Sequence, residues 1–363
     1  MTNPILSELS RVLPADRLLA EPVRPTASDS DAPAGAGKRP LAVVQPETQD
    51  EVIAVVRWCR RRGVSCAAWG GGAGVGGESL PLDDGIVIAM NRLNRIKKLD
   101  PEQRIVVVEA GVTHLQIAQA ANGHGLCYAP SLFSQSVCTM GEEVALNSGG
   151  AQVRKYGATS SQILGLRLVL ADGEVVELGS GSAEGVGVGP DLVGLFVGCR
   201  GALGIALEIT VRLLPKPARR RTVLATYRDL KTAEGAAEAV VQCGLLPGAM
   251  GMMDRRAIEA AEASVRPDWP AGVKAVLIVE LDGAADQVER ELYHLRRVIE
   301  ETEPDEMRIV ESAQQRWKLW QACPRVCPPL TFSDVDVEIR RQVRRETASK
   351  EIADRGDRLP GAV

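Results

Sequence analysis

Six glycines, at positions 70, 71, 72, 74, 76 and 77, follow directly on an apolar segment that reads as a strand, in Trp69-Gly-Gly-Gly-Ala-Gly-Val-Gly-Gly-Glu78. Backbone without a Cβ takes positive φ freely and lets N–H groups come close to ligand oxygens, which suits a phosphate cradle. A plain surface loop has no need of so many glycines at a strand end. Gly72-x-Gly74-x-x-Gly77 also has the spacing of a Rossmann dinucleotide motif, but that motif must open a helix whose N-terminus faces the pyrophosphate. Here the loop runs into Ser79-Leu-Pro-Leu-Asp-Asp-Gly85 and another strand, so the spacing is met without its context.

The segments around the loop alternate between strand and helix patterns. Leu41 to Gln45 is β-rich, Thr48 and Glu51 form a capping box, and Val52, Ile53, Val55, Val56 and Cys59 follow at helical spacing before a strand over Val64 to Trp69. Strand, helix, strand in that order predicts parallel pairing through a right-handed crossover. Further strands are expected at Gly85 to Met90 and Arg104 to Ala110, with Thr113 capping a helix toward Asn122. Asp172-Gly173 between Leu166–Leu170 and Glu174–Leu178 predicts a hairpin with a primed turn. Ile205 to Leu214 is a long β-branched strand closed by Pro215 and Pro217, and the charged Ala218 to Arg221 marks a boundary. Beyond it, strands at 223–227, 249–253 and 274–281 alternate with helices at 231–243, 255–263 and 285–302, a smaller α+β unit with an antiparallel sheet. The chain thus divides into an N-terminal arm and linker (1–38), a first domain (39–218), a second (219–325) and a polar tail (326–363).

Composition excludes several partners. Its 43 basic and 47 acidic side chains give a net charge of −4, no field for nucleic acid or an anionic membrane. No apolar stretch approaches the ~20 residues of a membrane helix, and the first ten residues lack a basic start and a sustained apolar run, so a cytoplasmic chain is expected. The eight cysteines lie mostly in apolar segments without the spacing of a disulfide framework. Cys323 and Cys327 alone are close enough for metal or redox chemistry, and no second pair or neighbouring histidine completes a ligand set, so no metal site is expected.

Four ordered motifs carry a resemblance to a known family. Gln45-Pro46-Glu-Thr-x-x-Glu51-Val with the glycine loop closing on Leu80-Pro81 is similar to the FAD-binding domain of the vanillyl-alcohol oxidase superfamily, in the branch of glycolate oxidase large flavin subunits and D-lactate dehydrogenases. Tyr128-Ala-Pro130, Ser134-Gln135, Cys138-Thr139-Met140-Gly141 and Asn147-Ser148-Gly149-Gly150 resemble that branch's second flavin loop. Lys155-Tyr156-Gly157 follows at the family spacing, and Asp191 to Ile205 resembles the third loop. The similarity covers residues 40 to 325.

That resemblance implies an α/β (α+β) chain, with a two-subdomain PCMH-type FAD-binding domain and a smaller ferredoxin-like α+β cap. It implies non-covalent FAD, since no histidine sits in the glycine loop. Gly70, Gly71, Gly72, Ala73, Gly74 and Val75 would wrap the pyrophosphate. Thr139, Gly141, Asn147 and Gly149 would line the ribityl chain and flavin ring, and Gly201 and Ile205 would lie near the adenine and pyrophosphate. For these later residues an ordinary strand turn explains the sequence equally well. The implied reaction is oxidation of a small 2-hydroxy acid, hydride passing to flavin while a base takes the hydroxyl proton. The implied partner is a subunit carrying iron–sulfur clusters or a second flavin.

The sequence departs from the family at three places. Glu78 stands where glycine is usual, Gly141-Glu142-Glu143 replaces Gly-Gly-Asn, and Cys199-Arg200-Gly201-Ala202 replaces Ser-Glu-Gly-Thr. Carboxylates at 78 and 142 would then repel the FAD phosphates, with Arg200 offsetting one. The family continues for roughly another hundred residues with histidines for metal and substrate. The histidines here, His114, His124 and His294, form no cluster with carboxylates in sequence, and no catalytic base can be named; Lys155 and Tyr156 are candidates for touching a substrate. A degenerate FAD fold with a binding or scaffolding role is therefore the alternative to an enzyme.

Residues 331 to 363 hold seven basic and seven acidic side chains and little to bury. Their removal is expected to leave the melting temperature near that of the parent, a result differential scanning calorimetry checks directly.

Overall fold

The computed structural model describes residues 4–19, 40–70, 85–129, 138–179, 189–264, 269 and 272–323. The chain opens with α1 (Pro4–Leu9) and a two-residue strand β1 (Leu18–Leu19). These residues do not form a detached arm. Leu9 and Leu13 are fully buried in the first core, and β1 pairs antiparallel with β2 (Ala42–Val44). Arg17 holds both Glu51 oxygens at 2.8 Å and Glu47 at 2.8 Å, fastening this segment to the next helix.

That helix, α2 (Gln49–Arg62), starts with the capping box expected at Thr48 and Glu51 and ends on Gly63 at φ 64°. Its buried face includes Val52, Ile53, Val55, Val56 and Cys59, the apolar positions spaced at helical period in the sequence. The strands β3 (Cys66–Trp69) and β4 (Ile86–Ala89) complete a sheet of order β1-β2-β4-β3. β2 and β3 are parallel within one sheet, as a crossover through α2 requires, but β4 lies between them and pairs with both.

A second sheet follows. β5 (Ile96–Asp100) and β6 (Ile105–Glu109) lead to α3 (His114–Asn122), capped by Thr113 with Gln116, and to the short β7 (Leu126–Cys127). After α4 (Met140–Leu146) and α5 (Val153–Tyr156) come β8 (Ile163–Val169), β9 (Val175–Gly179), α6 (Leu192–Phe196) and β10 (Ile205–Arg212). The order is β5-β6-β10-β8-β9, every pair antiparallel. The β8–β9 hairpin sits where Asp172-Gly173 puts it, but only Gly173 has positive φ, at 86°. Gly173 N–H donates to Leu170 O and Leu170 N–H to Glu174 O, so the turn is a three-residue loop ending in a left-handed glycine rather than a primed turn.

β11 (Leu214–Pro215) pairs with β7, and three residues later β12 (Arg219–Tyr227) begins, so the charged boundary segment already belongs to a strand. α7 (Leu230–Gln242), β13 (Ala249–Met253), α8 (Arg255–Ser264), β14 (Ala275–Gly283), α9 (Ala285–Glu300), β15 (Glu306–Val310) and α10 (Ala313–Ala322) complete this unit. Its antiparallel order β13-β14-β12-β15 is that of a ferredoxin-like sheet, with α8 inserted before the third strand.

Strand alternation gives β14 two different faces. Leu277, Val279 and Leu281 pack under α7 and α9, whereas Val276 and Ile278 pack with α8 and α10 on the opposite side. On that second side the strand continues with two buried carboxylates, Glu280 and Asp282, each 1% exposed. Asp282 faces the first unit. Lys155 Nζ reaches its Oδ1 at 2.5 Å and also its backbone carbonyl, and Tyr156 donates to Oδ2 at 2.7 Å. Burial, with the bond to Asp282, pushes the Tyr156 hydroxyl far up its scale, so it stays a donor at neutral pH. Met250 N–H donates to Ala151 O beside this clamp.

Removing one member of a buried charge pair strands the other. Asp282→Ala is expected to cost about 3 kcal/mol, the low end for such pairs because Lys155 keeps some water. Thermal melting checks the loss, and hydrogen exchange should rise along α5 and β14 before other strands.

Candidate functional site

The family-like motifs that can be followed in the structure meet around one short buried helix, α4. Thr139 is its N-cap: its hydroxyl accepts from Glu142 N–H, and Glu142 Oε2 accepts from Thr139 N–H at 3.3 Å. Met140 N–H donates to Val112 O at 2.9 Å and Gly141 N–H to Ala110 O at 2.8 Å. Glycine suits position 141 because an added Cβ would lie 3.1 Å from both the Ala110 carbonyl oxygen and its Cβ, a tight contact. Gly70, at the end of β3, meets the same helix start: a Cβ there would sit 2.3 Å from Thr139 Oγ1 and 2.6 Å from Glu142 Cγ. The strand that opens the glycine loop is thus pressed against the cap of α4.

The other end of α4 gathers the remaining motifs. Asn147 closes the helix in the left-handed conformation, φ 49°, and its Oδ1 accepts from Ser160 N–H. Gly198 N–H donates to Val144 O and Arg200 N–H to Ala145 O, so the 191–204 segment satisfies carbonyls that α4 leaves open. Asp191 caps α6 through Gly194 N–H. Gly198, Gly201 and Gly204 all have positive φ, and Gly201 faces open space. Ile205 begins β10 opposite Val169. Gly71, Gly72, Ala73, Gly74, Val75 and Glu78 lie outside the described residues, as do Ser134, Gln135 and Cys327.

This geometry divides the expected cofactor contacts. The first N–H groups of α4 are all spent within the protein, so its N-terminus is closed to a phosphate. The N–H groups of Gly149, Gly150 and Gly201 have no partner among the described residues and stand at or near the surface beyond the C-terminal end of α4. Such a donor set fits the oxygens of FAD. Glu142 is engaged at Thr139 through its own helix cap.

Glu143 has a separate role that the sequence did not disclose. It is 2% exposed, accepts from Tyr128 OH at 2.8 Å through one oxygen, and lies 3.3 Å from His114 Nδ1 through the other. The His114 and Tyr128 rings stack with centroids 4.6 Å apart and planes 46° from parallel. Burial first, then the Glu143 charge, holds the Tyr128 proton in place. A histidine-carboxylate pair therefore does form, across 29 residues of sequence. His124 and His294 are exposed. Lys155 and Tyr156, candidates for substrate contact, spend their polar atoms on Asp282. Cys323 is buried, and no group of three or more potential metal ligands occurs among the described residues.

A glycine-loop sheet unit joined to a ferredoxin-like cap, with glycine motifs gathered about one helix, defines a flavoprotein of the PCMH-type architecture. A family model described as FAD binding domain matches residues 40–179, and one described as FAD linked oxidases, C-terminal domain, matches residues 216–343. The chain belongs to the FAD-linked oxidases, and FAD is the cofactor of its matched domain. Glycolate oxidase subunit GlcD of Escherichia coli K12 is 35% identical over 282 residues, 78% of this chain and 56% of that protein. D-lactate dehydrogenase of Archaeoglobus fulgidus is 32% identical over 231 residues, 63% of this chain and 51% of that protein. The chain spans little more than half the length of these relatives. A structure of p-cresol methylhydroxylase with substrate bound matches 88% of this chain and 69% of its own with a TM-score of 0.72 at 19% identity, a likeness of fold. Among the described residues, no helix is long and apolar enough to cross a membrane.

Because Glu142 closes a capping box, Glu142→Gly is expected to destabilise the protein by about 1 kcal/mol. Gly70→Ala should cost more, since Thr139 and Glu142 must both move. Denaturant melts of the two variants compare the costs.

Proposed function

We propose that this chain is the flavin-carrying part of an oxidoreductase that oxidises a small 2-hydroxy acid of the glycolate or D-lactate kind. The observation that carries the reading is the convergence of Gly70, Thr139, Gly141, Asn147, Gly149 and Gly201 about α4, in a chain that matches both FAD-oxidase models in order. In this reading residues 39–218, with the α1–β1 segment packed into their core, form the FAD-binding domain and 219–325 the cap, with the tail 326–363 outside them. Gly70 to Val75 hold the pyrophosphate, and Gly149 and Gly201 offer backbone N–H groups to the cofactor. Asn147 fixes the turn that carries Gly149, and Ile205 anchors the strand after Gly201. The flavin, when bound, supplies the hydride acceptor.

The described side chains orient rather than take a proton. Tyr156 keeps its proton, Lys155 is engaged by Asp282, and no described group stands ready as a base. A partner subunit, carrying iron–sulfur clusters or a second flavin, then completes the reaction and removes electrons. A cytoplasmic location accords with the same reading. The engagement of Lys155 and Tyr156 also favours a second one, a FAD-fold subunit that binds or scaffolds without catalysis.

The purified protein should be yellow, and its visible flavin band should bleach when glycolate or D-lactate is added without oxygen. A flavin band that no 2-hydroxy acid alters, or a protein that stays colourless after incubation with FAD, overturns the enzyme and points to the second reading. Acid precipitation should release all the flavin into the supernatant, as non-covalent attachment requires.

A further inference from the structure

A cavity of 280 Å³ opens where the chain passes from β11 into β12. One wall is α3 and β7 with Tyr128, and the other carries Lys216 and Arg220 from the connection to the cap. Tyr128 is the one lining residue drawn from a family-like motif, and none of the residues expected to hold the cofactor lines the cavity. In a protein of net charge −4, the cavity has two cationic side chains and no carboxylate in its lining.

The lining is rich in donors. Arg220 has no hydrogen-bond or ion-pair partner among the described residues, although its field reaches both Tyr156 and Cys127. Lys216 Nζ donates to Asn122 Oδ1 at 2.6 Å and keeps two further protons. Gln152 is 5% exposed and His114 1%, so both polar side chains are held in the wall and not in bulk water. The neighbouring negative groups are already engaged. Asp282, the cross-strand partner of Arg220, is bonded to Lys155 and Tyr156, and Glu143 turns its oxygens to Tyr128 and His114. Burial pushes the Cys127 thiol up, so it adds no charge.

We propose that this cavity binds a small organic dianion of the dicarboxylate class. A guanidinium presents paired N–H groups that match a carboxylate in two parallel bonds, and the Lys216 ammonium supplies a second, point-like cation for the other end. At 280 Å³ the cavity lies just under the usual range of ligand pockets, which suits a small molecule such as a four- or five-carbon dicarboxylate. The two walls come from the flavin-binding unit and from the strand that leads into the cap. An occupant therefore bridges the two, and its binding is independent of the flavin.

The test is calorimetric titration of succinate into the full chain, with and without added FAD, and with neutral succinamide as control. Succinate should bind in both cases and succinamide should not. Arg220→Gln and Lys216→Gln should each weaken succinate at least tenfold, whereas Arg220→Lys should retain part of the affinity. If Arg220→Gln fails to fold, Lys216→Gln decides the matter alone, because Lys216 stands exposed at the rim. Absence of succinate binding, equal binding of succinamide, or unchanged affinity in Lys216→Gln overturns the proposal. Loss of the flavin activity proposed above leaves these titrations unaffected, so the two readings fail separately.

Discussion

A seven-residue helix cannot sustain itself in water, because nucleation is costly and both ends leave peptide groups unpaired. α4 exists because the rest of the fold supplies those partners. Ala110 and Val112 accept its first N–H groups, Thr139 and Glu142 close its start, and Gly198 and Arg200 donate to its last carbonyls. The same bonds hold three distant chain segments at fixed distances from one another. Gly70, where β3 ends, lies against the start of this helix and the 198–200 segment against its end, so the helix sets the distance between them. The side chains at 142 and 143, which break the family pattern, are both absorbed by that scaffold: one into a cap, the other into a buried contact with Tyr128 and His114.

The cap depends on a second buried arrangement, along one face of β14. Val276 and Ile278 meet α8 and α10, and two residues further on the same face turns polar at Glu280 and Asp282. Glu280 accepts from Thr222 and from the Trp320 indole, each at 3.0 Å, and Arg316 lies 3.4 Å away. A buried carboxylate is costly unless its oxygens are hydrogen-bonded, and these partners supply part of that compensation. The pairing also makes register unforgiving. A slip of one residue would carry both carboxylates into the apolar layer under α7 and α9.

Local patterns were legible because they act over a few residues. Thr48 with Glu51 announces a helix start, the alternation through residues 223–281 announces the cap, and Pro215 ends a strand, all through chemistry contained in the segment. The resemblance added the order of the motifs and the cofactor. What stayed hidden depends on separation. Nothing near Lys155 or Tyr156 indicates that both side chains are claimed by a carboxylate over 120 residues later, and nothing near His114 points to Glu143. Glu142 suggested repulsion because, in one dimension, a carboxylate beside a phosphate loop has no visible partner. β5, β15 and α10 escaped notice for a related reason: their burial is partial, so their periodicity is weak.

Only Lys216, Pro217 and Ala218 separate β11, paired to the first unit, from β12, the central strand of the cap. Three residues reach at most about 10 Å when fully extended, and the proline removes one rotation. The cap therefore has no slack with which to swing clear. Any opening between the units has to be a rotation about this hinge, and the Lys155–Asp282 contact lies beside it, because Asp282 pairs across the strands with Arg220. The joint is a short axle clamped where it turns, so the two units are held by the contacts around Asp282 and Ala151 and not by the length of a tether.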